Sequence, residues 1–213
     1  MKKTVNVYVM RHGQKQSGVD GDLAALTEIG RKQVIDSAAK NLVGIKFDGL
    51  YCSLKFRALE TVVCAISVLP EKNNGLSVIA REAFDYSASI PDIKQYFKLS
   101  ARVNELAKER DQPITVALWN EVTPEIIGHF AKKMHHGIIH AAWEVTEDKP
   151  RQIEFNVLIG CHSPGSELVT LDPENTPLLR EADIFFYRVE LSDETGTGGR
   201  FQLTESRLID RGF

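Results

Sequence analysis

The chain has 213 residues, 43% of them hydrophobic and 26% charged, with a formal net charge of -3. That length and balance suit one substantial α/β domain or two small ones and exclude a disordered chain. The mild acidity gives no electrostatic basis for a nucleic-acid binder or an anionic-membrane binder. No stretch approaches the ~20 apolar residues of a membrane helix. Lys2-Lys3 and the short run behind them do not make a secretion signal, because Asn6 interrupts the run and Arg11 ends it too early. Cys52, Cys64 and Cys161 form a sparse, odd set without CxxC spacing, which fits a reduced, cytoplasmic protein.

In chain order, Thr4 to Met10 is rich in β-branched and aromatic residues and predicts a strand, with Arg11-His12-Gly13 as the turn leaving its carboxyl end. Gly13 to Ala25 is polar and loop-like. Thr27 has the character of an N-cap, and Ile29, Val34, Ala38 and Leu42 recur near helical spacing behind it. Phe47 to Cys52 reads as a second strand, Ser53 as the cap of a helix over Leu54 to Leu69, and Leu76 to Ala80 as a third strand. Ile93, Phe97, Val103 and Leu106 suggest helix, and Thr123-Pro124 starts a longer one running to about Trp143. Phe155 to Gly160 is a strongly apolar fourth strand ending at Cys161-His162-Ser163-Pro164-Gly165. Residues 171–183 are loop-like, and Ile184 to Leu191 and Phe201 to Ile209 predict two strands joined by the glycine-rich turn at 196–199.

Strands alternating with helices indicate a three-layer α/β/α sandwich with a mostly parallel central sheet and an antiparallel edge. No Pro/Ser/Gly-rich linker divides the chain, so a single domain over 1–213 is expected, with a helical cap insertion at about 85–151.

Three of the predicted strand ends are followed by residues suited to binding phosphate: Arg11-His12, Ser53 with Arg57 on the next helix, and His162. In an open α/β sheet ligands bind beyond the carboxyl ends of the strands. If those strands are neighbours, two arginines and two histidines converge at one sheet edge, a match for a phosphoryl dianion.

Arg11-His12-Gly13, Leu26-Thr27 with Gly30 and Gln33, Ser53 with Arg57-Ala58 and Thr61, and His162-Ser163-Pro164 together resemble the histidine phosphatase superfamily, the phosphoglycerate-mutase-like family. The four blocks occur in the expected order and span nearly the whole chain. The resemblance implies a metal-independent phosphomonoester hydrolase of the phosphatase branch that needs no cofactor. Its implied nucleophile is His12, which becomes a transient phosphohistidine, with Arg11, Arg57 and His162 binding the phosphoryl oxygens. It places a carboxylic acid that protonates the leaving group at Glu82, after the third strand, with Asp85 as the competitor.

The chain departs from the family pattern just after His12, where Lys15 and Gly18 replace the usual hydroxyl and amide residues. Gln14 and Ser17 are the candidates for the missing phosphate contacts. The expected partner is a small phosphorylated substrate or a phosphoprotein, with neither nucleic acid nor membrane.

Other readings fit these residues less well. His136 and His140 have the i,i+4 spacing of a chelate, but HExxH is absent, so His135, His136 and His140 read as a polar helix face. A cysteine phosphatase would need an arginine where Glu167 stands, and no histidine follows Ser163 as an α/β-hydrolase requires. Gly196 to Gly199 lacks the Lys-Ser/Thr of a P-loop. A phosphoglycerate-type mutase remains the alternative enzyme, although Lys94, Lys98, Arg102, Lys108 and Arg110 form no clustered arginine pair. A non-catalytic phospho-ligand module predicts a damaged quartet, and the quartet is whole.

Overall fold

The computed structural model describes residues 2–19, 21–69, 73, 75–85, 102–103, 105–111, 117, 124–147, 149–163, 167–171, 176, 179–192 and 200–209. The helix expected around Ile93 and Phe97, the cap at Thr123 and the turn at 196–199 lie outside them.

Six strands form one sheet: β1 (Lys3–Arg11), β2 (Gly49–Cys52), β3 (Val78–Ala80), β4 (Glu154–Cys161), β5 (Ile184–Ser192) and β6 (Arg200–Leu208), in the order β3-β2-β4-β1-β5-β6. β3, β2, β4 and β1 run parallel, and β5 and β6 complete an antiparallel edge. The parallel strands stop in step, with Arg11 opposite Cys161, Cys52 opposite Gly160, and Cys52 opposite Ala80. The ladder continues one residue into each turn: His12 N–H donates to Cys161 O at 3.0 Å, Ser53 N–H to Gly160 O at 3.0 Å, and Arg81 N–H to Cys52 O at 2.8 Å. The residues that follow all four strands therefore share one edge.

Side chains alternate across the sheet as the period of two requires. On one face Met10, Leu50, Leu158 and Ile184 pack with the helices α1 (Glu28–Asn41) and α2 (Phe56–Ser67). On the other, Val5, Val7, Val9, Val157 and Ile159 pack against Met134, Ile138, Ala141, Ala142 and Val145 of α3 (Pro124–Glu147). The long helix expected within the 85–151 insertion thus supplies the second helical layer, and the architecture is an α/β/α sandwich. No described helix is long and apolar enough to cross a membrane.

Several boundaries differ from the sequence reading, among them the start of the third strand, at Val78 rather than Leu76, and the end of the long helix, at Glu147 rather than Trp143. The second strand begins at Gly49, two residues after Phe47. The second helix begins at Phe56 with Lys55 as its N-cap residue, and Ser53 does not cap it, because the Ser53 hydroxyl is engaged with a histidine.

Candidate active site

The turn after β1 is fixed by close backbone contact. A Cβ on Gly13 would stand 2.2 Å from Gly30 O, and one on Gly30 would stand 2.1 Å from Gln14 O, so only glycines allow the His12 turn to lie on the start of α1. Thr27 caps that helix as expected, accepting from Gly30 N–H at 2.9 Å. Its hydroxyl also donates to Gln14 Oε1 at 2.8 Å, and Gln33 Oε1 accepts from Gln14 N–H at 2.8 Å. Leu26-Thr27, Gly30 and Gln33 therefore form the framework that holds the His12 turn. The side-chain oxygen of Gln14 is used in that framework, while Ser17 is exposed on the loop beyond it.

His12 is buried, and its Nδ1 lies 2.7 Å from Gly13 O. A carbonyl can only accept, so Nδ1 carries the proton and Nε2 keeps its lone pair. Burial foremost pushes the His12 pKa down to about 4, opposed by the Gly13 hydrogen bond and aided by the charges of Arg57, Arg11 and Lys15. His12 is thus neutral at pH 7. The His162 ring stands edge-on to it with centroids 5.1 Å apart. Burial, then His12, Arg57, Lys55 and Arg11, hold the His162 pKa well below the ordinary histidine value.

Ser53 Oγ lies 2.7 Å from His162 Nε2 and accepts from Lys55 N–H at 3.2 Å. The hydroxyl proton is left for the imidazole, which suits a neutral ring protonated on Nδ1.

Arg57 projects from the first turn of α2 and is 5% exposed, with Nη1 donating to Gly21 O. α2 reaches the edge because Gly160 lets it touch β4, where a Cβ would meet Ala58 O at 2.5 Å. Arg11 Nη1 donates to Leu179 O, and Leu179 N–H donates to Glu167 Oε1 at 2.7 Å. The predicted quartet of Arg11, His12, Arg57 and His162 is therefore gathered at one edge.

The two acid candidates share one turn but differ in burial. Glu82 opens a short 3-10 turn after β3, and its side chain is 61% exposed with Oε1 2.7 Å from Lys133 Nζ. Asp85 is buried, with its carboxylate 3.3 Å from Lys55 Nζ.

Two residues to which the sequence assigns no role are buried near this edge. Lys55 lies between Ser53 and Arg57 and is nearly enclosed. Glu167 is wholly buried; desolvation raises its pKa, against hydrogen bonds from Ser163 and Leu179 and the charge of Arg11. Only their nearness to marked residues hinted at either. Among the described residues no group of three or more His, Cys, Asp or Glu side chains could hold a metal ion. His135, His136 and His140 lie exposed on α3, as the helix-face reading expected. The three cysteines are free thiols.

No family model matches the chain, and the search of curated proteins returned no match. Solved structures do resemble it. One is "Mycobacterial hydrolase 2", at 14% identity and a TM-score of 0.52, covering 95% of this chain and 90% of that one. Another is mycobacterial glucosyl-3-phosphoglycerate phosphatase Rv2419c with inorganic phosphate, at 17% identity and a TM-score of 0.50, covering 94% of this chain and 95% of that one. With its six-stranded mixed sheet and flanking helices, the chain has the histidine phosphatase fold.

Proposed function

We propose that the chain is a metal-independent phosphomonoester hydrolase that works through a phosphohistidine on His12. The observation that carries this reading is the state of the His12 ring. Its Nδ1 is committed to Gly13 O, its pKa is lowered to about 4, and it stands among Arg11, Arg57 and His162. A neutral nitrogen with a fixed tautomer beside permanent cations is what in-line attack on a phosphate dianion requires.

In the first step Nε2 forms a bond to phosphorus as the ester P–O bond breaks, and the leaving oxygen takes a proton. In the second, water attacks phosphorus, the P–N bond breaks, its electron pair returns to Nε2, and the water proton passes to the general base. Arg11, Arg57 and His162 hold the equatorial oxygens in both steps, stabilising charge by hydrogen bonding.

The proton donor and later base is assigned to Glu82. It follows β3 at the shared edge, and its exposed pairing with Lys133 can exchange with solvent at little cost. Asp85 is the weaker candidate, since its buried carboxylate is the counter-ion of Lys55. The substrate is proposed as a small phosphorylated molecule or a phosphoprotein; the relative named as a glucosyl-3-phosphoglycerate phosphatase favours hydrolysis of a small ester over mutase chemistry.

The test is release of inorganic phosphate from an aryl phosphate in the presence of EDTA. Wild type is expected to turn over and His12→Ala to fall to background. Turnover that survives the substitution, or wild type that releases nothing, overturns the reading. Transfer of phosphate between phosphoglycerate positions faster than its release would make the chain a mutase. Glu82→Gln is expected to slow an alkyl phosphate about tenfold more than an aryl phosphate with a good leaving group.

A further inference from the structure

The site contains a third basic side chain. The Lys55 side chain is only 11% exposed and sits between two carboxylates of opposite character. Asp85 is 2% exposed and holds the ammonium at 3.3 Å. Asp22, on the loop after β1, is 72% exposed and contacts the same ammonium through Oδ1. That loop reaches two neighbouring donors as well. Gly21 O accepts from Arg57 Nη1, and Asp22 O accepts from Phe56 N–H, the first residue of α2, at 3.1 Å. One dipeptide thus supplies oxygens to a guanidinium, an ammonium and a helix-start amide, the same kinds of donor that bind a phosphoryl group.

We propose that Lys55 is a phosphoryl-binding residue presented by Asp85, and that the Gly21–Asp22 segment is an internal anion mimic that the phosphorylated substrate displaces. The inference rests on the phosphatase reading above and adds a residue and a competitor to it. The two carboxylates are not interchangeable. Moving Asp85 would strand a charge on a carboxylate that is 2% exposed, whereas Asp22 is 72% exposed and is rehydrated as it leaves the ammonium. Asp22 is therefore the partner that yields. Position agrees with this, since the Lys55 amide donates to the Ser53 hydroxyl that meets His162.

The experiment is calorimetric binding of inorganic phosphate at low salt to the full chain, with KM and kcat for an aryl phosphate measured alongside. Asp22→Asn, on an exposed loop, is expected to bind phosphate about two- to fivefold tighter and to lower KM with kcat little changed. The double variant Lys55→Met/Asp85→Asn, which leaves no buried charge unpaired, is expected to bind about tenfold or more weakly. Lys55→Arg should retain most of the affinity. If Asp22→Asn binds no tighter, or the double variant binds like wild type, Lys55 is only a structural ion pair and the inference fails while the phosphatase reading stands. If wild type neither binds phosphate nor releases it from the aryl ester, the phosphatase reading fails, and this inference with it.

Discussion

Among the described residues, His12 lies close to His162 and His136 to His140, their ring centroids 5.1 Å and 6.4 Å apart. The first pair is assembled from two strand ends 150 residues apart in sequence and is buried among Arg11, Arg57 and Lys55. The second is one turn of α3, exposed, bordering a cavity of about 190 Å³ with Tyr51, Arg81 and Glu144. There the cationic side chain is already answered: Arg81 Nη2 and His140 Nδ1 both face Glu144 Oε1. Similar side chains at similar spacing thus give a buried cluster of positive charge, the proposed phosphate site, in one place and a neutralised surface in the other. The difference lies in the partners of the arginines: Arg11 and Arg57 donate to backbone carbonyls, whereas Arg81 is paired with a carboxylate.

The largest expected effect separates the pairs. His12→Asn should lower phosphate release by more than about a thousandfold, because in the proposed mechanism His12 carries the covalent intermediate. Arg57→Lys comes next. It keeps the charge but loses the planar fork, and a loss of about a hundredfold in kcat/KM is expected, the size typical of removing one transition-state donor. A loss below about threefold would mean that charge alone is used at this position. Both are measured with the aryl phosphate assay, with thermal unfolding as the check on folding.

The strand-end pair also leaves a signature in stability. His12 titrates near 4 when folded and near 6.5 as an ordinary histidine, so between those values the unfolded chain binds the extra proton. Stability therefore rises with pH across this window and is lost as pH falls from about 6.5 towards 4. Urea unfolding of wild type should lose about 2 to 3 kcal/mol between pH 7 and 4.5 through His12 alone, an amount missing from His12→Asn. Parallel slopes for the two proteins would contradict the lowered pKa.

Much of this site was legible in the sequence because strand ends are. An apolar run that breaks into Arg-His, Ser or His marks a carboxyl edge, and the parallel order of β2, β4 and β1 brings those breaks together. What was not legible depends on tertiary contact. Ser53 before a helix looks like a cap, and only the position of His162 shows its hydroxyl engaged elsewhere. Lys55 and Glu167 are of residue types that are exposed by default, and their burial comes from partners 30 residues ahead and 12 residues on, Asp85 and Leu179. Gln14 looked free to meet phosphate, yet Thr27 takes its side-chain oxygen locally. The glycines at 13 and 30 mark a backbone contact that no local pattern announces.

The smallest expected effect is the sharpest test of the comparison. The double variant His136→Gln/His140→Gln should leave kcat/KM within about twofold of wild type and shift stability by no more than about 0.5 kcal/mol, as exposed substitutions generally do. The reason is specific to this face. Removing the His140 ring takes away its edge contact with Trp143 and its 3.6 Å approach to Glu144, but Glu144 keeps Arg81, so no carboxylate is stranded. Gly137, packed against Ala83 and Phe84, keeps α3 seated beside the turn that carries Glu82. A larger loss of turnover with unchanged stability would break the comparison. The cavity beside Arg81 would then belong to the path of the substrate, and α3 would read part of the molecule whose phosphate His12 attacks.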